Sequence, residues 1–186
     1  NLRKYVRAAR LDAATASSLL PLTFVLHVQL TDETKATASN ELKADFELVA
    51  FREAAAAAKL RGEGGMWICK CPPLNRGRGI HVFKSAKAAE QFLKRRALAS
   101  TKNRTWVVQK YLENPLLLGG RKFDIRLLVL LTSDGRVFMY RDSYVRTASG
   151  AYDANNVKDP SLHLVNDAVQ AKFEGYGKFE DANKLS

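Results

Sequence analysis

Hydrophobic and polar residues alternate along this chain with two different periods. Runs rich in β-branched and aromatic residues, bounded by proline, glycine or polar residues, predict strands. The predicted strands cover residues 22–30, 66–71, 80–83, 105–109, 123–131 and 136–141. The last two enclose the turn Ser133-Asp134-Gly135, and together they predict a β-hairpin.

Apolar residues at helical spacing predict one amphipathic helix over residues 41–60 and a second over residues 85–98. The core face expected for the first helix consists of Leu42, Phe46, Val49 and Ala50. Ser85 is a suitable N-cap for the second. A short helix is expected near residues 166–173, within a loop-rich C-terminal part. These elements indicate an α+β fold class with mixed sheets and flanking helices.

The positive charge is concentrated in one part of the chain. Residues 60–110 carry 12 basic and two acidic side chains, and so account for +10 of the net charge of +11. Such a field attracts nucleotide phosphates, nucleic acid, anionic lipid or an acidic protein tail, although a solvated basic helix face is the plainer alternative. Nucleic acid is disfavoured because Phe92 is the only aromatic residue between Lys84 and Lys102. No apolar run approaches the roughly 20 residues of a membrane span.

Lys70 ends a predicted strand and is followed by the glycine loop Arg76-Gly77-Arg78-Gly79. An ammonium beside backbone N–H groups that a ligand can approach closely is suited to phosphate oxygens. The loop lacks the Gly-Lys-Ser/Thr of a Walker A motif. An ordinary β-hairpin bend remains the alternative.

A row of charges is expected on the strand over residues 123–131. Lys122, Asp124 and Arg126 share one face by the period of two, while the apolar residues between them are expected to pack. Arg146 lies just beyond the predicted facing strand. A basic-acidic-basic row suits phosphoryl chemistry, and a salt-bridge ladder on a solvent-facing sheet is the alternative.

The remaining candidates for metal or redox chemistry are weak. Cys69 and Cys71 stand two residues apart on one strand, where they are poorly placed to bridge each other, and are expected to stay reduced. His27, His81 and His163 lack the spacing of metal ligands and are interpreted as structural.

Taken in order, eight segments resemble the tubulin tyrosine ligase and ligase-like family, which has an ATP-grasp fold. They are Leu20–Phe24, Trp67–Lys70, Arg76–Ile80, Gln109–Leu116, Gly120–Arg126, Tyr140–Arg141, Tyr144–Thr147 and Leu162–Asn166. The resemblance implies an ATP-dependent ligase that forms an acyl phosphate on a carboxylate, which an amine then attacks. It further implies that an amino acid, most closely tyrosine, is added to the acidic C-terminal tail of tubulin. A polyglutamylase, a glycylase or an inactive tubulin-binding relative is the alternative.

The resemblance also assigns roles to individual residues. Lys70 and Lys122 would hold ATP phosphates, and Arg76 with Gly77 would lie in the phosphate-covering loop. The adenine hinge would be formed by Gln109, Lys110, Tyr111 and Leu112. Asp124 would contact ribose or substrate. Arg126 and Arg146 would hold the acceptor carboxylate and the acyl phosphate, since guanidinium pairs with both in a fork geometry.

The resemblance divides the chain into a central ATP-grasp lobe over residues 1–108 and the first part of a catalytic lobe over residues 109–186. It implies that the fold is incomplete at both ends and that the Mg²⁺ ligands follow residue 186. On this basis the full-length parent is expected to be an active monomeric enzyme and this part alone to be inactive. The expected location is the cytoplasm, on microtubules, with tubulin and a free amino acid as partners and without membrane or nucleic acid.

Overall fold

The computed structural model describes residues 10, 12, 15, 20–31, 41–99 and 104–185. The strands are β1 (Thr23–His27), β2 (Trp67–Lys70), β3 (Ile80–Phe83), β4 (Thr105–Lys110), β5 (Leu117–Leu118), β6 (Arg121–Arg126), β7 (Val129–Leu131), β8 (Val137–Met139), β9 (Tyr144–Ala151) and β10 (Lys184–Leu185). The α-helices are α1 (Phe46–Leu60), α2 (Ala86–Ala99), α3 (Pro160–His163) and α4 (Asp167–Gln170), and a 3₁₀-helix covers Asp181–Asn183. No helix within these ranges is long and apolar enough to cross a membrane.

The chain forms two compact units. The first contains residues 1–74 and 79–113, and the second contains residues 75–78 and 114–186. The predicted boundary between residues 108 and 109 falls inside β4, whose hydrogen bonding continues to Lys110. The boundary between the two compact units lies after Glu113 instead.

The first unit is a four-stranded sheet covered on one face by two helices. Its strand order is β1-β4-β2-β3, with Phe24 opposite Val108 and Cys69 also opposite Val108. Both helices contribute to one buried core, in which Phe51 of α1 and Leu93 of α2 are fully buried. Because successive side chains of a strand point to opposite faces, the residues between these core positions lie on the other face of the sheet.

The prediction of mixed sheets is wrong for the described residues, because every strand pair there is antiparallel. The crossover through α2 does connect two parallel strands, β3 and β4. However, β2 lies between them and is antiparallel to both. The α+β class itself is confirmed.

Helix α1 begins later than predicted and turns a different face to the core. Asp45 is its N-cap and accepts a 2.8 Å hydrogen bond from the Leu48 amide, while Leu42 lies outside the helix and bridges Leu30. Phe46 is 80% exposed, and the buried positions of the helix are Leu48, Phe51 and Ala58. By contrast, α2 starts as predicted, with Ser85 Oγ accepting from the Ala88 amide at 3.2 Å.

The two cysteines are buried and free, as predicted. Burial raises the pKa of the Cys69 thiol to about 12, so that this thiol stays protonated and unreactive at neutral pH.

The second unit contains two antiparallel sheets, one of order β10-β9-β6-β5 and the hairpin β7-β8. The predicted single strand over residues 123–131 is broken between Arg126 and Val129, and its two parts pair with different partners. β6 pairs with β9, a strand that the sequence interpretation missed. β5 and β6 are joined by Gly119 and Gly120, both with positive φ, which is the two-residue turn that suits a twisted hairpin.

A buried polar network holds the second unit together. Arg121 and Glu180 form an ion pair with side chains only 9% and 10% exposed. Gln170, fully buried in α4, accepts hydrogen bonds from the Ser149 amide at 2.7 Å and donates to the Leu164 carbonyl at 2.7 Å. No buried side-chain polar atom of the described residues lacks a partner, as buried polar groups require.

Candidate functional site

Lys70, Gln109 and Thr23 form a chain of hydrogen bonds on the sheet face that points away from the two helices. Lys70 Nζ donates to Gln109 Oε1 at 2.7 Å, and Gln109 Nε2 donates to Thr23 Oγ1 at 2.8 Å. They are brought together by register, because β4 lies between β1 and β2 and Thr23 is directly opposite Gln109. These hydrogen bonds fix the position of the Lys70 ammonium on this face of the sheet.

Burial lowers the pKa of Lys70. Partial removal from water weakens the hydration of the ammonium, and the neighbour in contact with it is an uncharged amide. A cation held in this way gains more from an arriving anion than a fully hydrated surface lysine does. Lys70 is therefore suited to hold a phosphate oxygen.

The four residues of the predicted adenine hinge, Gln109 to Leu112, lie in different environments. Lys110 Nζ contacts Glu113 Oε1 at 2.7 Å and also the carbonyl oxygens of Gly64 and Met66. Lys110 thus anchors the glycine segment before β2. Tyr111 is buried, and its amide donates to the Met66 carbonyl at 3.1 Å.

Leu112 is 63% exposed directly after the buried Tyr111. An exposed apolar residue at the end of a buried strand offers a surface on which a flat aromatic base can lie. Glu113, the next residue, pairs with Lys110 and so helps to fix the segment after β4, a role that the sequence analysis did not predict. The sequence did contain a signal for this ion pair, because Glu113 stands three residues after Lys110.

The glycine loop has left-handed backbone at three positions, with φ of +55° at Arg76, +78° at Gly77 and +69° at Gly79. Arg76 is exposed. At Gly77 a Cβ atom would lie 2.3 Å from Val169 Cγ2, so that a side chain is excluded by packing as well as by φ. Glycine is required at this position whether or not an anion binds there.

Asp124 of β6 and Arg146 of β9 are directly opposite each other and form a two-pronged ion pair. Arg146 Nε donates to Asp124 Oδ1 at 2.7 Å, and Nη2 donates to Oδ2 at 2.6 Å. Hydrogen bonding to Asp124 raises the pKa of Arg146. This is one ion pair of the kind that the alternative interpretation, a salt-bridge ladder, predicts, and it occupies one edge of the Arg146 guanidinium.

Lys122 and Arg126 flank Asp124 on the same face of β6, as the period of two predicts. Arg126 is exposed and Lys122 is partly buried. The pairing of β6 with β9 shifts register between Arg121 and Phe123, so a bulge of β9 lies opposite Lys122. Burial lowers the pKa of His163, and the charge of Lys122 lowers it further.

The apolar face of β6 does not pack as predicted. Ile125 is 57% exposed and Leu127 is 48% exposed. The prediction assumed that β6 and β7 formed one continuous strand over a core. Because the chain breaks after Arg126, the buried interior of this unit lies instead on the α3 and α4 side of β9.

The structure thus positions the predicted residues in separate groups. Lys70 and the hinge residues Gln109, Lys110, Tyr111 and Leu112 belong to the first unit, whereas Arg76, Gly77, Lys122, Asp124, Arg126 and Arg146 belong to the second. Thr23 was missed as the partner of Gln109, since a lone threonine early in a strand carries no functional signal. Within the described residues no three His, Cys, Asp or Glu side chains are grouped to hold a metal ion.

Comparison with known proteins identifies the family. The model of the tubulin-tyrosine ligase family matches residues 18–186. Tubulin glycylase 3C of Tetrahymena thermophila is 38% identical over 128 residues, which are 68% of this chain and 11% of that protein. Human tubulin monoglycylase TTLL3 is 36% identical over 117 residues, 62% of this chain and 15% of that protein. Mouse probable tubulin polyglutamylase TTLL2 is 35% identical over 117 residues, 62% of this chain and 20% of that protein.

The chain spans between 11% and 25% of the length of these and other curated relatives that it matches. The family match, in contrast, covers nearly the whole of the chain, and it includes both compact units. This chain therefore belongs to the tubulin-tyrosine ligase family.

Proposed function

We propose that this chain is part of an ATP-dependent ligase that adds glycine to a carboxylate of tubulin. Family membership supports ligase chemistry, and the names of the relatives favour glycine. The expected addition of tyrosine is not carried forward, since relatives of comparable identity are named glycylases and polyglutamylases. Glutamate is the second candidate because of the polyglutamylases among them.

The observation that carries the proposal is the row of charges on β6 with Arg146 opposite it. Two arginines and a lysine on one sheet surface can neutralise a carboxylate and a phosphoryl group that are brought together. Arg126 and Arg146 are assigned to the acceptor carboxylate and to the acyl phosphate formed from it. Lys122 is assigned to phosphate oxygens.

The described residues of the first unit fit a nucleotide. Lys70 offers a positioned, partly desolvated ammonium, and the chain from Tyr111 to Leu112 changes from buried to exposed at the end of β4. ATP, as substrate, would supply the phosphoryl group. Lys70 would hold its phosphate oxygens, and the exposed Leu112 would lie against the base. No step is assigned to a metal.

The proposed reaction balances in two steps. A carboxylate oxygen of tubulin forms a bond to the γ-phosphorus of ATP, and ADP leaves. The amine of glycine then attacks the acyl carbon, inorganic phosphate leaves with the bonding electrons, and the amine proton passes to solvent. The positive row on β6 stabilises the negative charge that accumulates in both steps.

The test is mass spectrometry of tubulin incubated with the full-length parent protein, ATP, Mg²⁺ and one of glycine, glutamate or tyrosine. We expect a mass gain with glycine alone. Lys122→Ala should abolish the gain while leaving the fold intact, whereas Lys172→Ala, which removes an exposed cation of the same unit, should preserve it. A gain with glutamate alone selects the second candidate, and no gain with any amino acid overturns both.

A further inference from the structure

Glu113 connects the end of β4 to the segment that precedes β2. Its Oε1 atom accepts a hydrogen bond from the Met66 amide at 2.9 Å and another from Lys110 Nζ at 2.7 Å. The side chains of Lys110 and Glu113 are only 19% and 24% exposed, so this ion pair is more sheltered from water than an ordinary surface pair. The carboxylate therefore holds two parts of the first unit together.

Leu112 lies between two residues that are both bound to Met66. The amide of Tyr111, which precedes Leu112, donates to the Met66 carbonyl at 3.1 Å, and Glu113, which follows it, accepts from the Met66 amide. Met66 is itself buried. Leu112, by contrast, is 63% exposed and forms no backbone–backbone hydrogen bond with another described residue. Its position consequently depends on its two neighbours.

The packing at Gly64 is a second observation that concerns the same carboxylate. A Cβ atom at Gly64 would overlap the Glu113 carboxylate, although the backbone of Gly64 is not left-handed. Lys110 Nζ contacts the Gly64 carbonyl as well as the Met66 carbonyl. The missing side chain of Gly64 thus leaves the room that the Glu113 carboxylate occupies.

We propose that Glu113 is a positioning residue for the nucleotide and acts on it through Leu112. The inference rests on the proposed function, in which the exposed Leu112 lies against the base of ATP. A surface that is already fixed before the nucleotide arrives does not have to be ordered on binding, so less entropy is lost. Without the Glu113 carboxylate, Leu112 would be fixed on the Tyr111 side alone.

The alternative is that the ion pair of Glu113 only stabilises the first unit. A positioning role predicts that loss of the carboxylate raises KM for ATP and leaves kcat at saturating ATP nearly unchanged, because no step of the proposed reaction is assigned to Glu113 or Leu112. Loss of folded protein would instead lower the apparent kcat and leave KM for ATP unchanged. The two roles are therefore separable by kinetics.

The test is titration of the full-length parent protein with a fluorescent ATP analogue, together with KM for ATP. Glu113→Ala should weaken binding roughly tenfold, as expected for the loss of one charge-assisted hydrogen bond. Glu113→Gln should restore part of the loss, because its amide oxygen can still accept from the Met66 amide. The control is Glu63→Ala, at an exposed carboxylate of the same unit that pairs with Arg61, and it should bind within about twofold of the unmodified protein.

Gly64→Ala is an independent variant, because it displaces the carboxylate of Glu113 without removing it. It should weaken binding of the ATP analogue about as much as Glu113→Ala does. The double variant of Gly64→Ala with Glu113→Ala has no overlap, so it should bind no more weakly than Glu113→Ala alone. Additive losses in the double variant would show two unrelated effects and would overturn the proposal.

The outcomes also distinguish the role of Glu113 from the nucleotide site itself. Loss of ATP binding in Lys70→Met but not in Glu113→Ala would overturn the role of Glu113 and leave the nucleotide site standing. No binding of the analogue by the unmodified protein would overturn both. A lowered kcat with unchanged KM for ATP would show that Glu113 only stabilises the fold. Circular dichroism of each variant establishes that the fold is retained.

Discussion

Lys70 illustrates a conflict between stability and binding within a single side chain. Burial lowers its pKa, so the folded protein holds the Lys70 proton less tightly than the unfolded chain does. Stability therefore rises with pH between the lowered pKa of Lys70 in the folded protein and the ordinary lysine pKa of 10.5. At neutral pH the ammonium is a cost to folding that a bound anion can offset.

Replacing Lys70 by methionine should separate these two effects. We expect ATP to bind the full-length Lys70→Met protein about 10- to 100-fold more weakly, since a charge-assisted hydrogen bond contributes roughly 1.5–3 kcal/mol. The temperature of unfolding should stay the same or rise, because the desolvated charge is gone. Titration with a fluorescent ATP analogue and scanning calorimetry measure the two quantities. Lys43→Met is the exposed control, and unchanged ATP affinity in Lys70→Met would remove Lys70 from the site.

Residue-scale features were predictable where they depend on local alternation. The shared face of Lys122, Asp124 and Arg126 follows from the period of two along a strand, and the structure confirms it. The ion pair of Arg121 with Glu180 joins residues 59 positions apart, and no local pattern marks it. The row of charges is thus visible in the sequence, whereas the ion pair of Arg121 with Glu180 is not.

At the scale of elements, strand β9 shows why the second unit was hard to predict. Its sequence contains Ala148, Ser149 and Gly150, which are small and give a weak strand signal. Thr147 and Ala148 are nevertheless fully buried, because β6 lies beside them and α3 and α4 pack on them. Pairing with a distant strand outweighs the local preference here.

Helix α1 shows the reverse case, in which a local signal competes with the periodicity. Asp45 caps the helix and so excludes Leu42, which the apolar spacing had included. Because the helix begins later than predicted, a different set of its residues faces the core, and Phe46 is exposed to solvent. The helices and strands of the first unit were otherwise well predicted, because their β-branched and aromatic runs are bounded by proline, glycine and serine.

Gln170 connects α4 to β9 and to the end of α3. It accepts from the Ser149 amide and hydroxyl, and it donates to the carbonyls of Ser161 and Leu164 at 2.8 and 2.7 Å. Gln170→Leu should lower the free energy of unfolding by roughly 3 kcal/mol or more, since each orphaned buried group costs about 1–3 kcal/mol. Urea denaturation measures this change.

The matched control for Gln170→Leu is Ala171→Leu at the neighbouring exposed position, which should change stability by no more than about 0.5 kcal/mol. An effect of Gln170→Leu as small as that of the control would show that the network of Gln170 contributes little. The hydrogen bonds of Gln170 would then be present in the folded protein without stabilising it.

At the scale of the whole molecule, the two units are stabilised by different kinds of interior. The first has an aromatic core that contains both tryptophans of the chain, Trp67 and Trp106. The second relies on the Arg121–Glu180 ion pair and on the hydrogen bonds of Gln170 and Asn183. Tryptophan fluorescence therefore reports on the first unit, and acid should act mainly on the second.

Hydrogen bonding from Arg121 lowers the pKa of Glu180 below its ordinary 4.5. The stabilisation is complete above pH 4.5 and is lost as the pH falls through the lowered value. In acid, the urea midpoint seen by circular dichroism should fall more than the midpoint seen by tryptophan fluorescence. Glu180→Gln should cost roughly 3 kcal/mol at neutral pH, as expected when a buried ion pair loses one partner, and should flatten the acid dependence.

Glu174→Gln, at an exposed carboxylate of the same unit, serves as the control and should leave the acid profile unchanged. If the Glu180→Gln protein loses stability in acid as steeply as the unmodified protein, the ion pair is not the source of the dependence.

The hairpin β7-β8 has a practical consequence for solution work. Its residues from Leu128 to Leu131 and from Val137 to Met139 are each at least 48% exposed, on both faces of only two strands. Two exposed apolar strands side by side resemble the segments that drive protein aggregation. Residues 1–186 on their own should consequently show light scattering that grows with concentration, and a dilution series has to accompany any binding curve recorded on them.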